Sequence, residues 1–490
     1  MRRLVRFGCL VSLVTAGVAP GIAAEDAGVT IAEQAEISID VIGGLPRFFA
    51  DDIRLQWIVP GDAGATDALR ELEYAVVEVE TNDGLRRTFI ARQLIDDHRL
   101  VHHYFFYKAD SARSATVRMD IDLLKGAAIE LAGQPGFIPE QLPGFGAAYG
   151  SVRSVAVGPR GQRTLKTGED DVESAGQDPQ AGDWFGVRNR FWTSLLRSAA
   201  MPLTIEVDAA AENLPQLVVR PPENNARLTL DLYAGPIDVR TLALVDSMLK
   251  GMMFAALWDW LRVLCFGLLW ILSVLYGLVG DMGLAIILLS LCVKVLMSPL
   301  TLIADRLQDS VNKTLALLQP QIDAIKQEYK GEEAHERVLA IYKKHDVHPM
   351  YPMKSLVGFL IQIPIFIAAF DMLGENIALS GTEFLWIEDL AKPDRWLSLP
   401  VTVPFFGGHL NLLPCIMTGV TLLTSWIQTD SSLTPALLHK QRIRLYLMAG
   451  AFFMLFYTFP AGMVLYWTTN NVLHLAKIQL AGLIGRIRRR

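Results

Sequence analysis

The chain has 490 residues, 51% of them hydrophobic and 20% charged, with a mean hydropathy of +0.30. That composition excludes a disordered chain and sits badly with an ordinary soluble one, and the length suggests two or three domains. A formal net charge of -6 argues against a nucleic-acid protein, which needs a concentrated basic surface to hold phosphates.

Arg2, Arg3 and Arg6 precede an apolar run from Phe7 to Ala19, then Pro20-Gly21 and the small residues Ile22-Ala23-Ala24. This order matches an export signal over 1–24 with cleavage after Ala24, the alternative being a retained anchor. Residues 25–240 should then lie outside the membrane. They mix charge and apolar residues as a globular domain does, and contain none of the four cysteines, so no disulfide framework holds them. Ile37, Ile39 and Val41 alternate with polar neighbours, as do Val117, Met119 and Ile121, and Leu228, Leu230 and Leu232; period two predicts strands. Val77 to Glu80, then Asn82-Asp83-Gly84, then Arg87 to Ile90 predicts a hairpin. Gly161 to Asp183, polar and rich in Gly and Asp, reads as a long loop. The expected fold here is an all-β sandwich serving as a binding or spacing module. His98, His102 and His103 have no metal-ligand spacing and read as surface histidines.

A bilayer-crossing helix needs roughly 20 mostly apolar residues. Candidates are Leu284–Leu302, Ser355–Leu373, Leu412–Ile427, Leu445–Phe459 and Gly462–Leu480. The further stretch Val263–Gly280 is settled by parity. If it crossed, the basic segment from Ala304 to Lys354 and the Arg486–Arg490 tail would face outward, against the rule that Lys and Arg stay in the cytoplasm. Five spans, with residues 241–282 as an interfacial amphipathic region marked by Trp258, Trp260 and Trp270, is the consistent count. The core is then residues 283–490, with a cytoplasmic hairpin over 303–350. In that hairpin Leu307, Val311, Leu315, Leu318, Ile322, Ile325 and Tyr329 form an apolar seam at steps of four and three. Pro320 should bend or restart the helix. Gly331 permits a turn, and Val338, Ile341 and Tyr342 supply the return helix.

Lys294 falls inside Leu284–Leu302, where a lysine costs about 2.5–3.5 kcal/mol on insertion scales. Snorkelling to the headgroups would relieve part of that cost. Yet Ser290 lies one turn earlier on the same face, and other spans carry Gln362, Thr418, Thr421, Thr424, Ser425, Asn470 and Asn471. Polar groups cannot stay unsatisfied in hydrocarbon. Together they predict a hydrated cavity with one fixed positive charge, which outweighs the snorkelling reading.

Five ordered motifs resemble the YidC/Oxa/Alb family of membrane protein insertases. They are Lys294 to Thr301, Leu318 to Ile322, Ile361 to Phe366, Phe384 to Ile387 with Asp389-Leu390 and Pro393-Asp394, and Phe459 to Gly462 with Leu465-Tyr466-Trp467. Trp184 to Trp192 and Leu230 to Pro236 resemble, more weakly, the end of the periplasmic domain of Gram-negative members. The resemblance implies an α-helical membrane protein of the bacterial inner membrane. It would have a five-span core, a periplasmic β-sandwich and a cytoplasmic C-terminus, with a hydrophilic groove open to cytoplasm and lipid. It implies nascent membrane proteins and lipid as partners, with the Sec translocon and the ribosome as candidates. Lys294 stands where the family carries an arginine, keeping the charge without the planar fork. Ser290 takes the place of a family hydroxyl and Tyr466 that of a substrate-touching aromatic, with Trp467 replacing its partner aromatic. The expected groove residues are Lys294, Ser290, Gln362, Thr421, Ser425, Tyr466, Trp467 and Asn470. No catalytic, metal or cofactor residue is expected. An intramembrane protease would need an activated serine or paired aspartates, and His474 and Ser290 are only loose candidates. A small-solute transporter would be expected to show an internal repeat, and none is visible.

Overall fold

The computed structural model describes residues 28–487 apart from 32–34, 40–45, 49–52, 72–74, 81–85, 96–98, 109–115, 123–126, 134, 166–179, 210–214, 221–226, 349–350, 352–355 and 428–434. The expected export signal, His98 and the Asn82-Asp83-Gly84 turn lie outside the described residues.

Two antiparallel sheets build the N-terminal half. The first runs in the order Gly28–Ile31, Ala35–Ile39, Pro46–Phe48, Ile53–Ile58, Ala128–Gly133, Pro215–Arg220 and Thr204–Ala209. The second runs Gly161–Thr164, Arg153–Gly158, Trp184–Arg188, Trp192–Arg197, Arg227–Pro236, Thr116–Asp122, Arg99–Lys108, Arg86–Ile95 and Ala75–Glu80. Period two decides what each face meets. Ile53, Leu55, Trp57, Ile129, Leu131, Leu217 and Val219 point from the first sheet into one core, where Phe185, Val187, Leu196, Leu228, Leu230 and Leu232 meet them from the second. The fold is therefore a sandwich. Helix α1 (Ala63–Arg70) starts on Asp62, whose carboxylate accepts from Ala65 N, and packs beside Ile53–Ile58. The predicted hairpin exists as paired strands in which Glu80 faces Arg87. The loop expected over Gly161 to Asp183 is corrected at its start: Gly161–Thr164 is an edge strand pairing with Arg153–Gly158. This polar strand lacks the alternation that would have marked it.

Several strands of the second sheet are covered on both faces. Ala156, Phe185, Leu196, Leu232 and Ala234 belong to the sandwich core, whereas their neighbours Val155, Val157, Trp184, Leu195 and Tyr233 belong to another. That second core continues through the connecting segment, with α2 (Val239–Val245) and Leu249, Met252, Met253 and Phe254, into the helical half. One apolar core thus spans the junction of the two halves.

The helical half contains α3 (Asp259–Val279), α4 (Met282–Glu328), α5 (Glu332–Lys344), α6 (Leu356–Glu375), α7 (Leu412–Ile427), α8 (Pro435–Phe456) and α9 (Ala461–Ile487). α3 packs on α4 and α6, α4 on α9, and α7 on both α8 and α9. Gly280, at φ 70°, ends α3, and Asp281 caps α4 by accepting from Leu284 N at 2.8 Å. α4 runs without a restart through Pro299 and Pro320 into the hairpin. There Val311, Leu318 and Ile322 are buried, and α5, which contributes the buried Ala334, packs on α4.

Among the described residues α3 and α4 are long and apolar enough to cross a membrane by length and composition, and α7 is a shorter apolar helix. Both ends of α3, however, sit at one end of the bundle. At its start Phe254 N donates to Glu375 at the close of α6, and Arg262 donates to the carbonyls of Lys250 and Gly251. At its finish α4 begins, with Gly283 directly under the Phe384 ring. Leu261, Cys265, Leu268 and Leu272 form its buried stripe, while Trp260, Val263, Trp270, Val274 and Leu278 form an exposed one.

Candidate functional site

The β-domain end of the bundle is closed by packing. The segment between α6 and α7 folds over it, with Leu379, Ile387 and Leu390 at 0–2% exposure, and Phe384 and Ile387 bond to each other through both backbone pairs at 2.8 Å. Gly283 and Gly462 let this layer seat. A Cβ at Gly283 would enter the Phe384 ring, and one at Gly462 would meet Leu379 and the Leu390 carbonyl. Asp394 accepts from Leu413 N at 2.7 Å and from Trp386 Nε1 at 3.2 Å, which ties the layer to the start of α7. Burial raises the Asp394 carboxyl above its ordinary value, and these donors oppose the rise.

α4 and α9 both leave that closed end and run side by side. At about 1.5 Å per residue, Ser290 lies about 12 Å along α4 and Lys294 about 18 Å, while Asn470 and His474 lie at about 14 and 20 Å along α9. Ser290 and Lys294 are one turn apart, as are Tyr466, Asn470 and His474, so each set shares a face. Ser290 Oγ donates to the Tyr466 carbonyl at 3.2 Å, and Asn470 Nδ2 donates to the same oxygen at 3.3 Å. Lys294, half-buried, makes no hydrogen bond or ion pair among the described residues. The charges it feels are those of Lys477 and Asp305. Those two are paired with each other at 2.9 Å, with side chains 53% and 58% exposed. The seam therefore grades from dry to wet. Ser290 is 0% exposed and Asn470 8%, Lys294 is intermediate, and the Lys477–Asp305 pair stands in solvent.

The other expected residues fall in three places. Asn471 Nδ2 donates to Thr421 Oγ1 at 2.9 Å, which carries the polar strip from α9 to α7. Ser425, one turn further, is buried with its Oγ unpartnered. Gln362 is exposed on α6 and makes no hydrogen bond among the described residues. Trp467 is not beside Tyr466 in space. Adjacent helical positions diverge by about 100°, and Trp467 packs with Phe366, Phe370, Phe452 and Phe456 at centroid distances of 4.8–6.5 Å. Tyr466 itself is 3% exposed. Sequence reading missed Asp305 and Lys477 as members of the seam. Asp305 is eleven residues, three turns, from Lys294, and Lys477 is eleven from Tyr466, a same-face spacing that could have found both.

Residues 274–481 match the family of the 60Kd inner membrane protein. That match covers less than half of the chain. Among relatives, the membrane protein insertase YidC of Syntrophobacter fumaroxidans is 33% identical over 251 residues, covering 51% of this chain and 42% of the relative. The membrane protein insertase YidC of Chlorobium limicola is 28% identical over 313 residues, covering 61% of this chain and 52% of the relative. The match thus spans about half or less of these relatives' length. A solved active YidC insertase, with its first transmembrane domain resolved, aligns over 94% of this chain and 93% of its own at 18% identity and a TM-score of 0.36.

Proposed function

We propose that this chain is a membrane protein insertase of the bacterial inner membrane, passing nascent hydrophobic segments along the α4–α9 seam into lipid. The observation that carries the reading is the one-ended gradient around Lys294: sealed at the β-domain end, half-wet at the lysine, open beyond it. The similarity of residues 274–481 to the 60Kd inner membrane protein family and the insertase names of its relatives support it.

In this reading α4, α6, α7, α8 and α9 cross the bilayer, the β-domain is periplasmic, and the α4–α5 hairpin and C-terminus are cytoplasmic. α3, with both ends at the β-domain end, lies along the outer interface. The polar flank of a nascent segment faces several kcal/mol per charge in dry hydrocarbon. A seam hydrated from one side shortens the dry path. The Lys294 ammonium attracts an acidic tail transiently, Gln362, Thr421, Ser425 and Asn470 offer hydrogen bonds, and Tyr466 backs the strip while Trp467 braces α9 from the aromatic cluster. Hydrophobic partition then carries the segment sideways into lipid. No bond is made or broken, so no cofactor is required. The partners are nascent membrane proteins and lipid, with the Sec translocon and ribosome as candidates.

The test is complementation in insertase-depleted cells, read as protease accessibility of a small substrate with an acidic translocated tail. Lys294→Arg should insert it, while Lys294→Ala should be impaired and Lys294→Glu more so. Normal insertion by Lys294→Glu would remove the role given to the charge.

A further inference from the structure

The segment between α6 and α7 carries a feature the insertase reading leaves unused. Leu397–Val403 pairs with Gly407–Leu410 in a β-hairpin whose turn packs on the Pro143–Phe145 segment of the β-domain. From Trp396 to Asn411 there is no Asp, Glu, Lys or Arg. The pairing shifts register between Ser398 and Val403, but Val401 and Val403, two apart, share a face of the first strand, with Thr402 between them on the opposite one. Leu397, Val401 and Val403 are exposed by 40–69%, and Trp396 at the foot by 52%. Phe405, in the turn, meets the Phe145 ring edge-on at 5.3 Å.

The hairpin is held firmly. Arg395 N donates to Asn411 Oδ1 at 3.1 Å across its feet, and α7 begins one residue after its second strand ends. Phe406 packs against Phe453 and Tyr457 at the end of α8, at centroid distances of 6.4 and 4.9 Å. It therefore flanks α8 at the β-domain end. α3 lies at the same end against α4 and α6, with its own exposed tryptophans outward. Two apolar outworks thus stand at one level, beside different helices.

From this placement we infer that the Leu397–Leu410 hairpin is a membrane-interface anchor, its exposed Leu397, Val401 and Val403 side chains set into the headgroup–acyl boundary of the outer leaflet. The inference rests on the reading that α7 and α8 cross the bilayer. Continuity selects lipid as the occupant, because α7 enters hydrocarbon at Leu412, one residue beyond the hairpin. Charge agrees with it, since no Asp, Glu, Lys or Arg lies between Trp396 and Asn411 to offer an ion pair to a protein partner. Depth follows from the backbone. A two-stranded ribbon has free edges, and unsatisfied N–H groups are costly in hydrocarbon, so the hairpin lies at the boundary rather than below it. Pro400 and Pro404 remove two donors from the longer strand, which lowers that cost. With α3 it would fix the depth and tilt of the bundle.

The test places a single NBD label in the full chain in bilayer nanodiscs, with Cys9, Cys292 and Cys415 changed to alanine and the fully buried Cys265 left in place. Val401→Cys reports the apolar face, Thr402→Cys the opposite face, and Leu447→Cys, 72% exposed on α8, the lipid-facing control. Labels are challenged with 5-doxyl phosphatidylcholine and with aqueous iodide. The expected result is blue-shifted Val401→Cys emission, strongly lost to the lipid nitroxide and little affected by iodide, with the reverse for Thr402→Cys. Loss to iodide alone places the hairpin in water, and protection from both quenchers places it under protein; either overturns the inference while a quenched Leu447→Cys leaves the bilayer reading standing. A Leu447→Cys label that the lipid nitroxide does not reach overturns the bilayer reading itself.

Discussion

Arg190→Ala should loosen the docking of the β-domain on the helices. The Arg190 guanidinium donates to the Gly374 carbonyl at 2.6 Å through Nε and to the Ala391 carbonyl at 2.7 Å through Nη1. It lies 4.7 Å from the centroid of Tyr149 and 4.4 Å from that of Phe191. Two charge-assisted bonds contribute about 1.5–3 kcal/mol each, and the ring contacts about 0.5–2 kcal/mol. Against this, burial pushes the guanidinium from 12.5 down to about 10, a penalty of about 3 kcal/mol at about 1.4 kcal/mol per unit. The remainder, with the Gly374 carbonyl at the end of α6 and the Ala391 carbonyl between α6 and α7 left unpaired, puts the loss at about 2–4 kcal/mol. Arg190→Lys should recover only part of it, since an ammonium cannot reach both oxygens as the planar fork does. The assay is limited proteolysis in detergent, following cleavage at the connecting segment 237–258 against denaturant. Arg190→Ala as resistant as the parent chain would refute the reasoning, and Arg190→Lys equal to the parent would show that charge alone does the holding.

Gly283→Ala should destabilise the closed end by about 1–3 kcal/mol, because the new methyl overlaps a ring whose backbone is pinned on both sides. Phe384→Ala alone costs about 3–5 kcal/mol as a cavity, and the double variant should lose less than the sum in thermal unfolding; strict additivity would mean that the two do not touch. Glu140 joins the β-domain to Arg395 and, at 3.7 Å, to Lys392. The hydrogen bond from Arg395 holds its carboxyl below the ordinary 4.5. The contact's contribution is therefore present above that value and is lost as pH falls through the lowered one. Docking followed by the same proteolysis should weaken only on the acid side, and Glu140→Gln should remove that limb.

How far the residues alone could lead depends on the distance over which each answer is fixed. Leu228, Leu230 and Leu232 announce their face by alternation, and the Val311/Leu318/Ile322 seam by its steps of four and three, because the period is local. Val155, Val157 and Trp184 could not announce a second buried face, since what covers it is the Ile237–Phe254 segment far along the chain. Lys294 is legible as an anomaly in its own span. Its surroundings are not, because Lys477 and Asp305 lie 172 residues apart and no local pattern joins them. Ser290 reads as a hydroxyl that must find a partner, and that partner is the Tyr466 carbonyl, which ties α4 to α9. Tyr466 and Trp467 read as a pair through the family resemblance, whereas helix geometry sends them to opposite duties.

In the proposed reading, the arrangement around Lys294 favours a groove over simple snorkelling on electrostatic grounds. A snorkelling lysine runs its stem along lipid toward the nearest headgroups. Val295 and Leu296 take the lipid side here, at 62% and 64% exposure, while Val293 on the preceding position is 7% exposed. Lys294 lies between these faces, on the rim of the seam. Moving its ammonium toward the open end would bring it to Lys477, a like charge, and Asp305 is already bound there. Moving it toward the closed end would bring it to Ser290, whose hydroxyl already donates to Tyr466. The cation is therefore left part-way along the seam, and no neighbour among the described residues pairs with it. If α4 crosses the bilayer as proposed, such an unpartnered charge carries a standing cost, offset by water in the seam or by an acidic group arriving from elsewhere. The substrate tail proposed above is such a group.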